Sequence, residues 1–249
     1  MALELKGVTT LTEGATASFL LIHGFGASYD ELATLHELLS SQGHSCFSIQ
    51  LAGHGSTPEE FKKSTWEDWY KSAKRGIDLV RTWNTKHVFV VGISMGGLLS
   101  LLLASEERDI DGLILLAPAL QVPGSLYKLV PVLKYFMKWR DVDVEAAQEI
   151  YDVKRFKLHR EPVSAYYELA KLQKMVKNRL KSVSIPTIIV QGTADKTIDP
   201  EGAQVIYEAI SSDTKELHMI EGAEHVISCH SSREEAYPHI INFIAQIVD

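Results

Sequence analysis

The residues around Ser94 could turn a hydroxyl into a nucleophile. Within His87-Val-Phe-Val-Val-Gly-Ile-Ser-Met-Gly-Gly-Leu-Leu-Ser, the five residues Gly92-Ile93-Ser94-Met95-Gly96 fit G-x-S-x-G, and Gly97 adds a third glycine. An apolar run ending at Val91 reads as a strand, and the leucine-rich run after the serine reads as a helix. In a tight strand-to-helix turn, glycines on either side remove the Cβ atoms that would crowd a strained serine. Its hydroxyl is then held out at the end of the sheet, near the positive end of the helix. A hydroxyl attacks only when a base removes its proton. Of the ten histidines, His218 falls inside the last strand candidate, and His230 and His239 lie in or near the terminal helical region. His225 sits in Glu221-Gly-Ala-Glu-His, a loop directly after that strand that would place its imidazole at the sheet edge beside Ser94, so among these four it is the expected base.

The base needs an acid to orient it, sought after the strand candidate at 187–191. Two aspartates compete in Gly192-Thr-Ala-Asp195-Lys-Thr-Ile-Asp199-Pro200-Glu201. Asp199 precedes a proline suited to a first helical position, so it reads as a helix cap. Asp195 lies nearer the strand end and is assigned to His225, with an exchange of the two roles left open. Attack on a carbonyl also needs backbone N–H groups aimed at the developing negative charge. Met95, the residue after the serine, is one expected donor. Phe25 is the other, in the loop His23-Gly24-Phe25-Gly26, where flanking glycines permit close approach. His23 resembles a base, but its expected role is to tie that loop together by hydrogen bonds.

Such a site needs a scaffold that brings distant loops to one edge. Short apolar or β-branched runs at 19–22, 45–50, 88–91, 113–117, 187–191 and 217–220 are apolar on both faces, as central strands of a parallel sheet are. Helical candidates lie near 29–41, 66–83, 95–105, 200–211 and 232–248. Strand–helix alternation implies right-handed βαβ crossovers and an α/β, doubly wound sheet. From about 119 to 184 no convincing strand is legible. Leu126, Leu129, Val130, Leu133, Phe136 and Met137 recur at helical spacing, and 143–156 and 163–180 are further helical candidates, the latter with Leu169, Leu172, Met175, Val176 and Leu180 on one side. This insertion is expected to cap the carboxyl ends of the strands, where open α/β sheets bind ligands. Its apolar stripes are expected to pack it onto the body, a few of them lining an acyl pocket.

His-Gly-Phe-Gly, Leu51-Ala-Gly-His54-Gly-Ser, Gly-Ile-Ser-Met-Gly-Gly, Gly-Thr-Ala-Asp195 and Glu-Gly-Ala-Glu-His225 occur in that order. Together they resemble the α/β-hydrolase superfamily, and most nearly its small bacterial carboxylesterases and monoacylglycerol lipases. The likeness extends to Thr197-Ile-Asp-Pro and to His225-Val-Ile, and covers the chain apart from the insertion. It implies a mostly parallel, doubly wound sheet with a helical cap after the sixth strand, residues 1–118 and 185–249 forming the core and 119–184 the cap. It also implies a serine–acid–histidine order, with Ser94 as nucleophile, Asp195 as acid, His225 as base, and Phe25 and Met95 as oxyanion donors. Leu51 to Ser56 matches a structural turn, so His54 receives no catalytic role. The activity implied is hydrolysis of short- to medium-chain esters, including monoacylglycerols, through an acyl-enzyme and without metal or organic cofactor.

Composition narrows the rivals. The 249 residues are 45% hydrophobic and 23% charged, which excludes disorder, collagen-like repeats and coiled coil as the main architecture. Twenty-five basic against 32 acidic residues give a net charge of −7, with no basic cluster to track phosphate backbones, so nucleic acid is not an expected partner. The partner expected is a small-molecule ester or monoacylglycerol. Cys46 and Cys229 fit neither a disulfide framework nor a metal site. Met1 to Gly7 carries Glu4 and Lys6 and lacks an apolar signal core, and no run of 18 apolar residues occurs, so the chain reads as soluble and cytoplasmic, without stable membrane insertion. Thioesters, feruloyl esters and peptides are the alternative substrates, because fold alone does not discriminate among them. A slow-turnover, hydrolase-like receptor is the alternative outside enzymes.

Overall fold

A computed structural model describes residues 5–248 except 108, 125, 126 and 128. Leu126 of the apolar stripe and Met1 to Glu4 therefore lie outside the described residues. Five strands come first: β1 (Gly7–Thr10), β2 (Ala17–Ile22), β3 (Ser45–Ile49), β4 (His87–Ile93) and β5 (Gly112–Leu116). A small ribbon of β6 (Trp139–Asp141) and β7 (Arg160–Pro162) follows, then β8 (Thr187–Gly192) and β9 (Lys215–Ile220). The main sheet has seven strands in the order β1-β3-β2-β4-β5-β8-β9. Only β1 runs antiparallel to its neighbour.

The central strands are buried on both faces, and alternation divides their side chains between two cores. Leu20, Ile22, Val90, Leu113, Leu115 and Ile189 fill one core. Phe19, Leu21, Phe89, Val91, Ile114, Leu116, Ile188 and Val190 fill the other. Helices cover each side, as parallel strands require. They are α1 (Ala33–Ser41), α2 (Pro58–Lys63), α3 (Trp66–Arg81) and α4 (Met95–Glu106), then the helices Glu201–Ala209 and Arg233–Val248. The start of α3 is fixed by a capping box between Thr65 and Asp68. Met95 to Ala104 of α4 are all buried, so this helix lies inside the molecule.

The sheet is the mostly parallel, doubly wound one expected, but the segment expected to form a cap follows its fifth strand, not its sixth. The strand candidates also omitted β1, a short edge strand whose first three residues are exposed, so it carries no apolar run. The inserted region also holds the ribbon β6–β7, three residues per strand with charged side chains, where no strand was expected. Its helices are shorter than their spacing predicts: Val130–Leu133, Val144–Glu149 and Val163–Lys177. Along the last of these, Leu169, Leu172 and Val176 are buried as expected. The stripe before it is not. Val130 alone is buried, whereas Leu129, Phe136 and Met137 are exposed, Phe136 to 81%. Most of the described part of that stripe faces solvent and gives no support for an acyl pocket. Among the described residues no helix is long and apolar enough to cross a membrane.

Candidate active site

Four loops meet where strands end. β4 lies between β2 and β5, so the loop after β2 stands beside Ser94. β8 pairs with β9, so the loops carrying Asp195 and His225 are neighbours. Ser94 itself occupies a left-handed conformation, φ 55° and ψ −117°. Its N–H donates to the Leu116 carbonyl at 2.9 Å, and its carbonyl accepts from Gly97 and Ala119, each at 3.1 Å. The turn is thus pinned to the end of β5. A Cβ on Gly92 would stand 2.3 Å from the Gly96 carbonyl oxygen, and one on Gly96 would stand 2.0 Å from that of Ile22. Both glycines are needed for the helix to start this close to the sheet.

The three residues selected from the sequence form one row. Ser94 Oγ lies 2.9 Å from His225 Nε2. His225 Nδ1 lies 2.7 Å from Asp195 Oδ2. A carboxylate only accepts, so Nδ1 carries the proton, and Nε2 is left free to accept from the serine hydroxyl. Asp195 Oδ1 accepts from the N–H groups of Thr197 at 2.8 Å and Ile198 at 3.0 Å. Gln191 Nε2 donates to Oδ2 at 3.1 Å. Burial alone would raise the Asp195 pKa. The hydrogen bond and charge of His225, with the two backbone donors, outweigh it and hold the carboxyl below its ordinary value. Ser94 is 8% exposed, His225 and Asp195 each 7%, so the row is shielded from bulk water. Asp199 stands apart: its Oδ1 accepts from Glu201 N–H at 3.1 Å, at the start of a helix.

The loop after β2 is anchored on several sides. His23 Nε2 accepts from Leu51 N–H at 3.2 Å, which leaves Nδ1 to donate to the Gly24 carbonyl at 2.8 Å. Burial lowers the His23 pKa, so the ring stays neutral in this bridging role. Because the Gly24 carbonyl is held on one side of its peptide, the Phe25 N–H points to the other. His54 lies in an aromatic cluster with Phe25, Phe61 and Trp69, and burial keeps its pKa well below the ordinary value. Of the other histidines singled out, His218 bonds Glu216 and stacks on His239, and His230 bonds Ser232. None of them takes part in the row. Burial pushes the Cys46 thiol up to about 11 and that of Cys229 up to about 12, so both stay neutral and unreactive thiols.

Sequence reasoning missed two residues beside this loop. Glu31, 4% exposed, accepts the Gly24 N–H at 2.8 Å, and Lys157 Nζ donates to the Phe25 carbonyl at 3.1 Å. Neither sits in a motif, and Lys157 lies 132 positions away in sequence. Among the described residues no cluster of three or more His, Cys, Asp or Glu could hold a metal ion.

The family model described as "Serine aminopeptidase, S33" matches residues 13–230, which include the whole row and the loop after β2. The chain is 26% identical over 236 residues to a carboxylesterase of Bacillus subtilis (strain 168), covering 94% of this chain and 95% of that one. It is likewise 26% identical over 236 residues to a thermostable monoacylglycerol lipase of Bacillus sp. (strain H-257), with 94% and 92% covered. Among solved structures, one described as LipS and LipT, two metagenome-derived lipolytic enzymes, superposes with a TM-score of 0.87 at 24% identity over 97% of both chains. Monoacylglycerol lipase from Paleococcus ferrophilus superposes with a TM-score of 0.78 at 20% identity over 99% of both. With most of its length matched and this fold beneath the match, the chain belongs to the serine aminopeptidase, S33 family and is a hydrolase of the α/β-hydrolase superfamily, similar to a carboxylesterase and a monoacylglycerol lipase.

Proposed function

We propose that the chain hydrolyses carboxylic esters of small molecules, short- to medium-chain acyl esters and monoacylglycerols among them, with Ser94, His225 and Asp195 as a catalytic triad. The observation that carries this reading is the row of short hydrogen bonds that starts at a serine on a strained strand-to-helix turn. His225 Nε2 takes the Oγ proton as Oγ bonds to the ester carbonyl carbon. The N–H groups of Phe25 and Met95 receive the negative charge that forms on the carbonyl oxygen. The adduct collapses, and His225 gives its proton to the departing alcohol. Water then attacks the acyl-enzyme with His225 as base again, releasing the acid and restoring Ser94. Asp195 holds the imidazole in the tautomer that makes each transfer possible.

The choice of esters rests on the names of the carboxylesterase and monoacylglycerol lipase that the chain resembles, not on the exposed stripe at 129–137. Segment 119–184 is read as the cap over the site. A cytoplasmic location completes the proposal, supported by two cysteines that are free and buried. The test is steady-state hydrolysis of p-nitrophenyl esters from acetate to palmitate, with monoacylglycerols and amino-acid p-nitroanilides in parallel. Turnover on short or medium esters should fall at least ~10³-fold in Ser94→Ala, as loss of a triad nucleophile does. Ester turnover that survives in Ser94→Ala overturns the triad. Turnover of anilides alone moves the substrate to peptides.

A further inference from the structure

Four consecutive residues of the inserted segment, 155–158, each bond to the loop after β2 or to the turn that follows it. Arg155 pairs with Glu31 Oε1 at 3.1 Å, both side chains nearly buried. Phe156 N–H donates to Asp30 Oδ2 at 2.6 Å. Lys157 Nζ donates to the Phe25 carbonyl at 3.1 Å. Leu158 N–H donates to the Gly26 carbonyl at 3.3 Å. Beneath this strap lies Glu161, 1% exposed, with Oε1 2.6 Å from Lys157 Nζ. Its Oε2 accepts from Tyr166, whose ring packs on that of Phe25 at 4.8 Å. Arg140 bonds the same Tyr166 hydroxyl at 2.5 Å and stands 3.6 Å from Glu161 Oε2.

The Phe25 peptide lies between two glycines, and Gly26 has φ +65°, so the loop is soft in its own right. Its stiffness must come from outside. Glu31 fixes the Gly24 N–H and His23 fixes the Gly24 carbonyl. Lys157 then fixes the Phe25 carbonyl, the next carbonyl along the chain. The Phe25 N–H lies between these anchors, and among the described residues it is given to no protein acceptor. We propose that Lys157, steadied by Glu161, is a positioning residue for oxyanion stabilisation: it locks the Phe25 carbonyl and so keeps the Phe25 N–H aimed at the tetrahedral oxygen. This rests on the reading of Phe25 as an oxyanion donor. The inserted segment would then shape the reacting centre from residues 155–158 as well as covering it.

A transition-state readout separates this role from a structural one. Lys157→Met would be compared with wild type on p-nitrophenyl butyrate, beside inhibition by an alkyl trifluoromethyl ketone and binding of the matching methyl ketone. The trifluoromethyl ketone forms a tetrahedral adduct with the serine and loads the oxyanion donors; the methyl ketone, which forms no stable adduct, reports ground-state binding. Misaiming one donor should lower kcat by roughly 10–100-fold, short of the ~10²–10³-fold seen when a donor is deleted. KM and methyl ketone binding should change less than about twofold, while trifluoromethyl ketone affinity falls with kcat/KM. Lys157→Arg, which keeps a charged donor, should recover part of the loss. Unchanged trifluoromethyl ketone affinity in a folded Lys157→Met protein overturns the proposal. Should that variant fail to melt cooperatively, Glu161→Gln, which releases Lys157, must show a parallel loss in kcat and trifluoromethyl ketone affinity, and its absence is equally fatal. If instead Ser94 has been misread, wild type itself will not bind the trifluoromethyl ketone in a Ser94-dependent way.

Discussion

At Ser94 the backbone sits at φ 55°, held there by bonds from both sides: its N–H to Leu116 and its carbonyl to Gly97 and Ala119. A non-glycine residue in such a conformation costs about 1–3 kcal/mol. Replacing it with glycine removes that cost but frees the unfolded chain, a loss of about 0.4–1 kcal/mol. The first effect is the larger. Ser94→Ala and Ser94→Gly both lack the hydroxyl, so their difference isolates the backbone. Both should be inactive, and Ser94→Gly should be the more stable by about 1 kcal/mol, read as a higher urea midpoint at equal slope. Equal midpoints, or a lower one for glycine, would mean the turn stores no strain. The same residue illustrates what a sequence displays well. Gly92 and Gly96 are visible because backbone crowding allows almost nothing else there, whereas Glu31 and Lys157 carry no pattern, since their partners come from remote loops.

Strand ends decide how the loops meet, and Gly192 is where two of them touch. A Cβ on Gly192 would lie 2.2 Å from the Ala223 carbonyl oxygen, which is backbone and must move. Thr193 N–H to Ile220, Ala194 N–H to Ala223 and Gly222 N–H to Thr193 Oγ1 tie these loops together on either side of the contact. Gly192→Ala should therefore part the loops and stretch the 2.7 Å bond between Asp195 and His225. A displacement near 1 Å at a reacting group costs on the order of 10²-fold in rate. The variant should fold, with kcat reduced by about that factor and KM little changed. Wild-type kcat would mean the loops can slide without disturbing the imidazole. Elements of this kind were legible where burial leaves a one-sided choice of residues: β2, β3, β5 and β8 are buried throughout. Strand β1, exposed at three of its four positions, and the charged ribbon β6–β7 were not. The stripe at 129–137 misled because helical spacing marks a face without saying what covers it.

Across the whole molecule, burial of neutral histidines links stability to pH. His23, His36 and His54 are buried, and burial lowers the pKa of each below 6.5, that of His54 furthest. His36 is held between Ser48 of β3 and Thr10 of β1, at 2.8 and 2.9 Å, so it joins the edge strand to the sheet as a neutral ring. The unfolded chain takes up a proton on each of these histidines near pH 6.5, while the folded chain does not until lower pH. Below 6.5 the unfolded state binds more protons, and stability falls as pH falls, down to each folded pKa. Each such histidine contributes a slope of up to about 1.4 kcal/mol per pH unit in that window. All three act in the same direction, so their contributions to the loss of stability add as pH falls. Urea midpoints should therefore drop steadily from pH 7 to pH 5.5. In His54→Gln, which cannot titrate but can still donate to the Ala52 carbonyl that His54 Nδ1 contacts at 3.0 Å, the drop should be visibly smaller than in wild type. An unchanged slope in that variant would mean that His54 takes up its proton with the fold intact, and the aromatic cluster around Phe25 would have to open to admit it.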